Sequence, residues 1–376
     1  MFEERFKNRL MLHRQAGLRR NPPEISEREG KYLYINNRRV LNFASNDYLG
    51  LGVSEELKEK VAKNFLKYST SSSSSRLVSG NYSIINQAEK EYASFFGYDD
   101  ALFFPSGYQA NLGIISTFFE KEDIIIFDKH IHASSVKGIS LSGANFYGYN
   151  HNSMPHLRKR LEANRQKQVA VLTESLFSMD GDFLDVHRFG ELKREYGFLS
   201  IADEAHAFGA VGKNGCGIAR GAADIAIGTF GKAFGLFGSF VLLPKGFKEY
   251  LFNFSSPLIY STTLPEAHAA SAIDLLKIIS RSEERRKHLR KVSRIMKEGL
   301  RRKGFRVTGD AHILALEIGE EARAAGVSQS LLKKNIFVPP VRYPTVPIGR
   351  AILRISMTAL HTEEDIRFFV DLLPVP

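Results

Sequence analysis

The sequence predicts an α/β protein: a large domain with a mostly parallel central sheet, then a smaller C-terminal α+β domain. Three observations carry this. Between Ala101 and Leu243, short apolar runs bounded by Gly, Pro or Asp alternate with helix-like segments. Such runs read as strands buried on both faces, and their alternation with helices implies a parallel sheet. After Pro265 the texture changes to long charged helical segments with few strands. Finally, 376 residues exceed one ordinary domain, while 43% hydrophobic residues, with 28 Phe and 14 Tyr, are ample for a core. This composition excludes a disordered or collagen-like chain.

The elements follow in order. Phe2 to Gln15 reads as a charged helix, ended by Asn21, Pro22 and Pro23. The strand-like runs are Ala101 to Phe104, Ile124 to Phe127, Val169 to Leu172, Phe198 to Ala202, Asp224 to Gly228 and Ser239 to Leu243. Ser71 to Ser75 is a low-complexity tract, read as a small-residue loop within the fold or a linker. Ile225 to Leu243 has the length of a membrane span, with Lys232 its only charge, but Gly228, Gly231, Gly235 and Gly238 argue for strand, turn and strand. The expected division is a helical arm over residues 1–41, a large domain over 42–265 and a small domain over 266–376.

The net charge is +11 and the pI about 9.5. Much of the excess lies between Arg281 and Lys303, where Leu289, Val292, Ile295, Met296 and Leu300 recur at helical spacing. This reads as one amphipathic helix with a solvated basic face. No aromatic residue interrupts the run, so it lacks the stacking platforms of a single-strand binder. A single cysteine, Cys216, excludes a disulfide framework and any multi-cysteine metal site, and it fits a reducing cytoplasm. The charged stretch from Met1 to Gln15 lacks the apolar region of a signal peptide.

Several residues bear chemistry. Lys232 stands alone among Thr229, Phe230, Gly231, Ala233 and Phe234. A lysine there loses solvation and its amine becomes nucleophilic, as a Schiff-base lysine requires. Taken alone, a buried stem with its head in water is the commoner meaning. Asp203 and His206 follow the run Phe198 to Ala202, at the carboxyl end of a strand, where ligands of parallel sheets bind. An aspartate there can keep a pyridinium nitrogen protonated, or simply cap a helix. Ser106, Gly107 and Tyr108 pass from strand to helix, a place for a phosphate. His132 lies just past a strand and offers a flat ring. Arg354, between Leu353 and Ile355, needs an anionic partner: an internal carboxylate or a bound one.

Asp203-Glu204-Ala205-His206 also spells a helicase tetrad. That chemistry needs a G-x-x-x-x-G-K-[ST] loop. Gly231-Lys232-Ala233 and Gly212-Lys213-Asn214 both lack the hydroxyl residue and the first glycine, so the tetrad is read as coincidence.

Together, these motifs resemble the pyridoxal-phosphate-dependent α-oxoamine synthases of fold type I. The matching stretches are Asn42 to Leu51, Ser106-Gly107-Tyr108 with Ala110-Asn111, His132-Ala133-Ser134, Phe177 to Asp182, Asp203 to His206, Gly228 to Gly235 and Tyr260-Ser261-Thr262. The resemblance implies a transferase that binds pyridoxal 5'-phosphate. In it Lys232 carries the cofactor covalently, Asp203 pairs with the pyridine nitrogen, His206 lies by the cofactor hydroxyl and His132 stacks on the ring. Ser106, Gly107, Tyr108, Ser178 and Thr229 hold the cofactor. Thr262 reaches the phosphate of a neighbouring subunit, which implies a homodimer with its site at the interface. Arg354 grips the amino-acid carboxylate, with Asn46 and Arg19 beside the substrate. No metal, nucleic acid or membrane partner is implied.

Ser45 to Gly50, Ser75 to Gly80 and Arg342 to Pro347 lean toward the branch that joins L-alanine to a pimeloyl thioester, carried on CoA or an acyl carrier protein, in biotin synthesis. A sister synthase with another amino acid or acyl chain is the alternative, and a basic nucleic-acid-binding protein a distant one. Two departures bear on the acyl donor: Ser71 to Ser75 replaces a glycine-rich loop, and Asn86 stands where the family has histidine.

Overall fold

The computed structural model describes residues 1–375. It divides into two compact units: one formed by residues 49–178 and 183–286, the other by residues 1–48, 179–182 and 287 onward.

The larger unit is built on a seven-stranded sheet. Its strands lie in the order Asp100–Phe104, Ser239–Leu243, Ile225–Thr229, Leu199–Asp203, Val169–Glu174, Ile124–Asp128 and Asn145–Tyr149. Every apolar run singled out above forms one of these strands. Successive side chains take opposite faces. Ile125, Leu172, Ile201, Ile227 and Val241 enter one core layer, and Ile124, Ile126, Val171, Leu184 and Phe189 enter the other. Helices cover both layers, hence the two-sided burial.

Two features of the sheet add to the mostly parallel expectation. Ser239–Leu243 runs antiparallel to both its neighbours. A fully buried apolar run looks the same in either direction. Asn145–Tyr149 is an additional strand at the sheet edge, pairing only with Ile124–Asp128. Its first residues are exposed, so it carries no apolar run to betray it.

The smaller unit holds two four-stranded sheets. In one, Ile313–Gly319 and Ala351–Ser356 pair antiparallel at the centre. In the other, Tyr32–Ile35 and Arg38–Asn42 form a hairpin joined in parallel by Ile336–Phe337.

The expected domain boundaries therefore shift. Only Phe2–Gln15 of the N-terminal region is helical. The residues after it are strands that belong with the C-terminal part, because Leu41 and Asn42 pair with Ile336 and Phe337. His361 also stacks on Phe43 at 4.4 Å. At the other boundary, Glu266–Ser280 stays in the larger unit. Tyr92 Oη donates to the Ala272 carbonyl (3.0 Å), and Asn64 Nδ2 reaches Ser271 Oγ (3.2 Å).

The basic run forms the helix Glu283–Arg302, with Leu289, Val292, Met296 and Leu300 buried on its inner side. The solvated-face reading fails at one position. Arg286 is fully buried, paired to Glu283 Oε2 at 2.8 Å and donating to the carbonyls of Ile279 and Gly209. Among the described residues no helix is long and apolar enough to cross a membrane.

Candidate active site

The carboxyl ends of the parallel strands gather the predicted chemistry of the larger unit. Lys232 sits on the turn between Ile225–Thr229 and Ser239–Leu243, as the glycines foretold. Thr229 Oγ1 accepts from the Gly231 N–H (3.1 Å) and donates to the Gly238 carbonyl (3.0 Å). The Phe230 N–H reaches the same carbonyl. Gly235 closes the turn at φ +67°, where a Cβ would come within 2.3 Å of the Gly52 nitrogen, so only glycine fits. Phe230 and Phe234 on either side are fully buried among Tyr92, Phe103 and Phe240. The anchor is apolar and tightly held, while Lys232 itself is half-buried.

Lys232 Nζ lies 2.8 Å from His206 Nε2. One hydrogen lies between the two nitrogens, so one of them is an acceptor. This pairs the candidate nucleophile with a candidate base.

Asp203 ends the strand Leu199–Asp203, and both its carboxylate oxygens are fixed. Oδ1 accepts from the Ala205 N–H (2.9 Å) and Oδ2 from Asn111 Nδ2 (3.0 Å). Asn111 is itself oriented by Ser135 Oγ (3.0 Å) and the Gly107 carbonyl (3.3 Å). The carboxylate is thus held in one direction by a donor on each oxygen.

Two helix starts carry further predicted residues. Ser106 caps Gly107–Phe118, its Oγ accepting from the Gln109 N–H (3.2 Å). Nothing crowds the place where a Gly107 Cβ would stand. His132 caps Ala133–Ser142, its Nδ1 meeting Ser134 Oγ at 2.7 Å. Burial lowers the His132 pKa, Lys232 lowers it further, and Asp203 only partly opposes them, so the imidazole is neutral at pH 7. Ser178 is buried, and its N–H donates to Glu174 Oε2 (2.9 Å).

The smaller unit holds its own predicted pair. Arg354 Nη1 donates to Ser356 Oγ (2.6 Å) and Asn46 Oδ1 (3.2 Å), and Asn46 Oδ1 also accepts from Tyr48 Oη (3.0 Å). Arg19 and Thr262 are exposed and are not among the groups so gathered. Arg19 is tied through its carbonyl to Arg342 (3.4 Å).

The two departures take concrete form. Ser73 adopts φ +53°, the left-handed conformation that glycine takes without cost. Ser72 Oγ donates to the Thr263 carbonyl (2.8 Å), and the Thr263 N–H reaches the Ser74 carbonyl (3.0 Å), so the tract is a tied loop rather than a linker. Asn86 accepts from Arg76 (3.0 Å), which also binds the buried Glu89.

Two buried carboxyls at the strand ends, Glu204 and Glu174, carry no role in the sequence analysis. Glu204, inside the tetrad, accepts from Ser175 Oγ (2.5 Å) and from the N–H groups of Ile218 (3.1 Å) and Ala219 (2.6 Å). Burial pushes its pKa up to about 7 against the pull of those donors. Glu174 ends the strand next to that of Asp203. The signal that found Asp203, a carboxylate closing a buried strand, applies to it equally.

The arrangement as a whole defines a class: an amine on a fixed turn, an oriented carboxylate at a strand end, a neutral imidazole and a capped helix start. Residues 38–373 match the family described as aminotransferase class I and II, and the chain belongs to that family. Among curated relatives, the 8-amino-7-oxononanoate synthase of Haemophilus ducreyi is 37% identical over 96% of this chain and 97% of its own. That of Chlorobaculum parvum is 35% identical over 90% of each. Among solved structures, Sphingomonas wittichii serine palmitoyltransferase superposes with a TM-score of 0.91 at 28% identity, covering 99% of this chain and 96% of that one. The 8-amino-7-oxononanoate synthase of Francisella tularensis gives 0.77 at 31% identity, covering 89% and 96%.

Proposed function

We propose that the chain acts as an 8-amino-7-oxononanoate synthase of biotin synthesis. It joins L-alanine to a pimeloyl thioester and releases carbon dioxide and the free thiol. The observation that carries this is the near full-length identity to synthases of that name, on a chain that keeps the Lys232–His206 contact and the oriented Asp203.

The residues fit pyridoxal 5'-phosphate. The donor set is complete in kind: an amine for its aldehyde, a fixed carboxylate for its ring nitrogen, a flat neutral imidazole for its face and a helix start for its phosphate. Glu174 adds a buried, unpartnered oxygen. When bound, the cofactor supplies an electron sink for the charge that develops at the substrate α-carbon.

The chain's own residues do the rest. Asp203, held by Asn111 and the Ala205 N–H, would keep a proton on the ring nitrogen of the bound cofactor. Lys232, once its amine is free, takes the α-proton of alanine, and His206 beside it accepts or returns a proton at Nε2. His132 packs flat and uncharged. The Gly107 N–H and Ser106 receive phosphate, with Ser178 and Thr229 as further contacts. Thr229 first of all braces the Lys232 turn. Arg354, steadied by Asn46 and Ser356, binds the alanine carboxylate, with Arg19 on the substrate side. Thr262, exposed beside the tied serine loop, serves the phosphate of a partner subunit, so the working unit is a homodimer. The reaction belongs in the cytoplasm, where the thiol of Cys216 stays reduced.

The likeness to serine palmitoyltransferase favours a sister reading with another amino acid and acyl chain. One experiment decides between them. Thiol release is measured with alanine, glycine or serine against pimeloyl, acetyl, succinyl and palmitoyl thioesters of CoA. A peak at alanine with the pimeloyl thioester supports the proposal, and a peak elsewhere overturns it in favour of a sister synthase.

A further inference from the structure

The strand Val169–Glu174 lies beside Leu199–Asp203 in parallel, and the register pairs Glu174 with Asp203. Two carboxyl groups thus stand at neighbouring strand ends, in different surroundings. Asp203 is partly exposed and has a donor on each oxygen. Glu174 is 2% exposed. Its Oε2 accepts from the Ser178 N–H at 2.9 Å, while its buried Oε1 meets no hydrogen-bond partner among the described residues.

A buried carboxylate with an unmatched oxygen is costly, and the group escapes that cost by keeping its proton. Burial raises the Glu174 pKa well above the carboxyl range. The charge of Asp203 acts in the same direction, as does that of Asp128, and Lys232 and the Ser178 N–H oppose them. A buried hydroxyl without an acceptor is costly in turn. Within electrostatic reach of both Asp203 and Lys232, the acceptor must come from what those residues bind.

We propose that Glu174 is a cofactor-binding residue that stays protonated and donates a hydrogen bond from Oε1 to an oxygen of bound pyridoxal phosphate, beside the Asp203 carboxylate. The inference rests on the cofactor reading above. The two neighbouring acids then divide the work: an anion secures a proton on the ring nitrogen, and a neutral acid supplies a donor without adding a second negative charge. A second anion would repel the cofactor phosphate.

The test compares wild type with Glu174→Gln and Glu174→Ala, using pyridoxal phosphate as the probe. Affinity is read by absorbance titration and protonation by infrared difference spectra of loaded against unloaded protein at pH 8. Glutamine keeps the shape, a donor and the lack of charge, so affinity should stay within about threefold. Alanine removes the donor, and affinity should fall about tenfold or more, the scale of one buried hydrogen bond. Loaded wild type should show the carbonyl band of a protonated carboxyl, missing in Glu174→Gln. The glutamine variant is isosteric, so this measurement stands if the alanine variant does not fold. If wild type takes up the cofactor without that band, or if folded Glu174→Ala binds as tightly as wild type, the inference is overturned and the proposed function survives. Wild type that takes up no cofactor overturns both.

Discussion

The cofactor end of the larger unit and the Arg354 corner of the smaller one are built by opposite methods. At the first, most polar groups are fixed by near neighbours, Asp203 by Ala205, His132 by Ser134 and Lys232 by its own turn, with Asn111 reaching Asp203 from the helix Gly107–Phe118. At the second, Arg354 meets Asn46 from the opposite end of the chain, 308 positions away. The first is a property of the sheet and exists once the sheet forms. The second exists only when both ends of the chain have paired. The same contrast holds for buried titratable groups. In the larger unit Glu204 is pushed up to about 7. In the smaller unit burial drives His361 down to about 4, with Nδ1 accepting from the Thr358 N–H (3.0 Å) and so closed to a proton.

If the cofactor end is the chemical half, its substitutions should remove turnover and leave binding of the amino acid nearly intact. Lys232→Ala should lower thiol release by roughly 10⁴-fold, the upper range for a lost acid–base group, with an unchanged melting temperature. Retained turnover would falsify the assignment. Asp203→Asn should cost roughly 10²–10³-fold in kcat and shift the absorbance of bound cofactor.

The two buried groups sharpen the contrast through pH. Glu204 is neutral in the fold up to about pH 7, whereas its unfolded carboxyl ionises near 4.5. Its stability contribution therefore falls by about 3 kcal/mol as pH rises from 4.5 to 7. His361 works the other way. The unfolded imidazole binds a proton below about 6.5, the folded one only near 4, so about 3 kcal/mol is lost as pH falls across that window. Melting temperatures from pH 4 to 8 should show Glu204→Gln flattening the neutral side and His361→Gln the acid side. Identical pH curves in variant and wild type would remove the contrast.

At the other corner, Arg354→Lys should raise KM for alanine by roughly 10-fold, about 1.4 kcal/mol, and leave cofactor affinity alone. A loss of cofactor affinity instead would merge the two regions. The smallest effect belongs to the serine loop. Ser73→Gly relieves a left-handed residue and should stabilise by up to about 1 kcal/mol in a denaturant midpoint.

What the sequence disclosed follows the same division. Apolar runs bounded by breakers placed the central strands, and residues at their ends placed Lys232, Asp203, His206 and His132. The direction of Ser239–Leu243 stayed hidden, because burial on both faces erases the difference. The edge strand Asn145–Tyr149 stayed hidden because exposure removes the apolar pattern. Pairing of Leu41 with Ile336 is long-range and has no local signature, so nothing in the N-terminal sequence itself ties its strands to the C-terminal part. Arg286 looked like one charge among many on a basic helix, and only its burial against the Ile279 carbonyl and Glu283 distinguishes it. Glu174 carries the same signal as Asp203, a carboxylate closing a buried strand, two residues past Leu172.

The turn that carries Lys232 has a kinetic consequence. Its backbone is latched by Phe230 to Gly238, by Leu236 to Phe230 and by Gly235 to Lys232 itself. The main chain offers a fixed pivot, and the amine can change partners only by swinging its own stem. Handing over from one partner to another is then a matter of rotamer hops, far faster than the motions of whole segments. A catalyst that used this amine would spend none of its turnover time waiting for it to arrive.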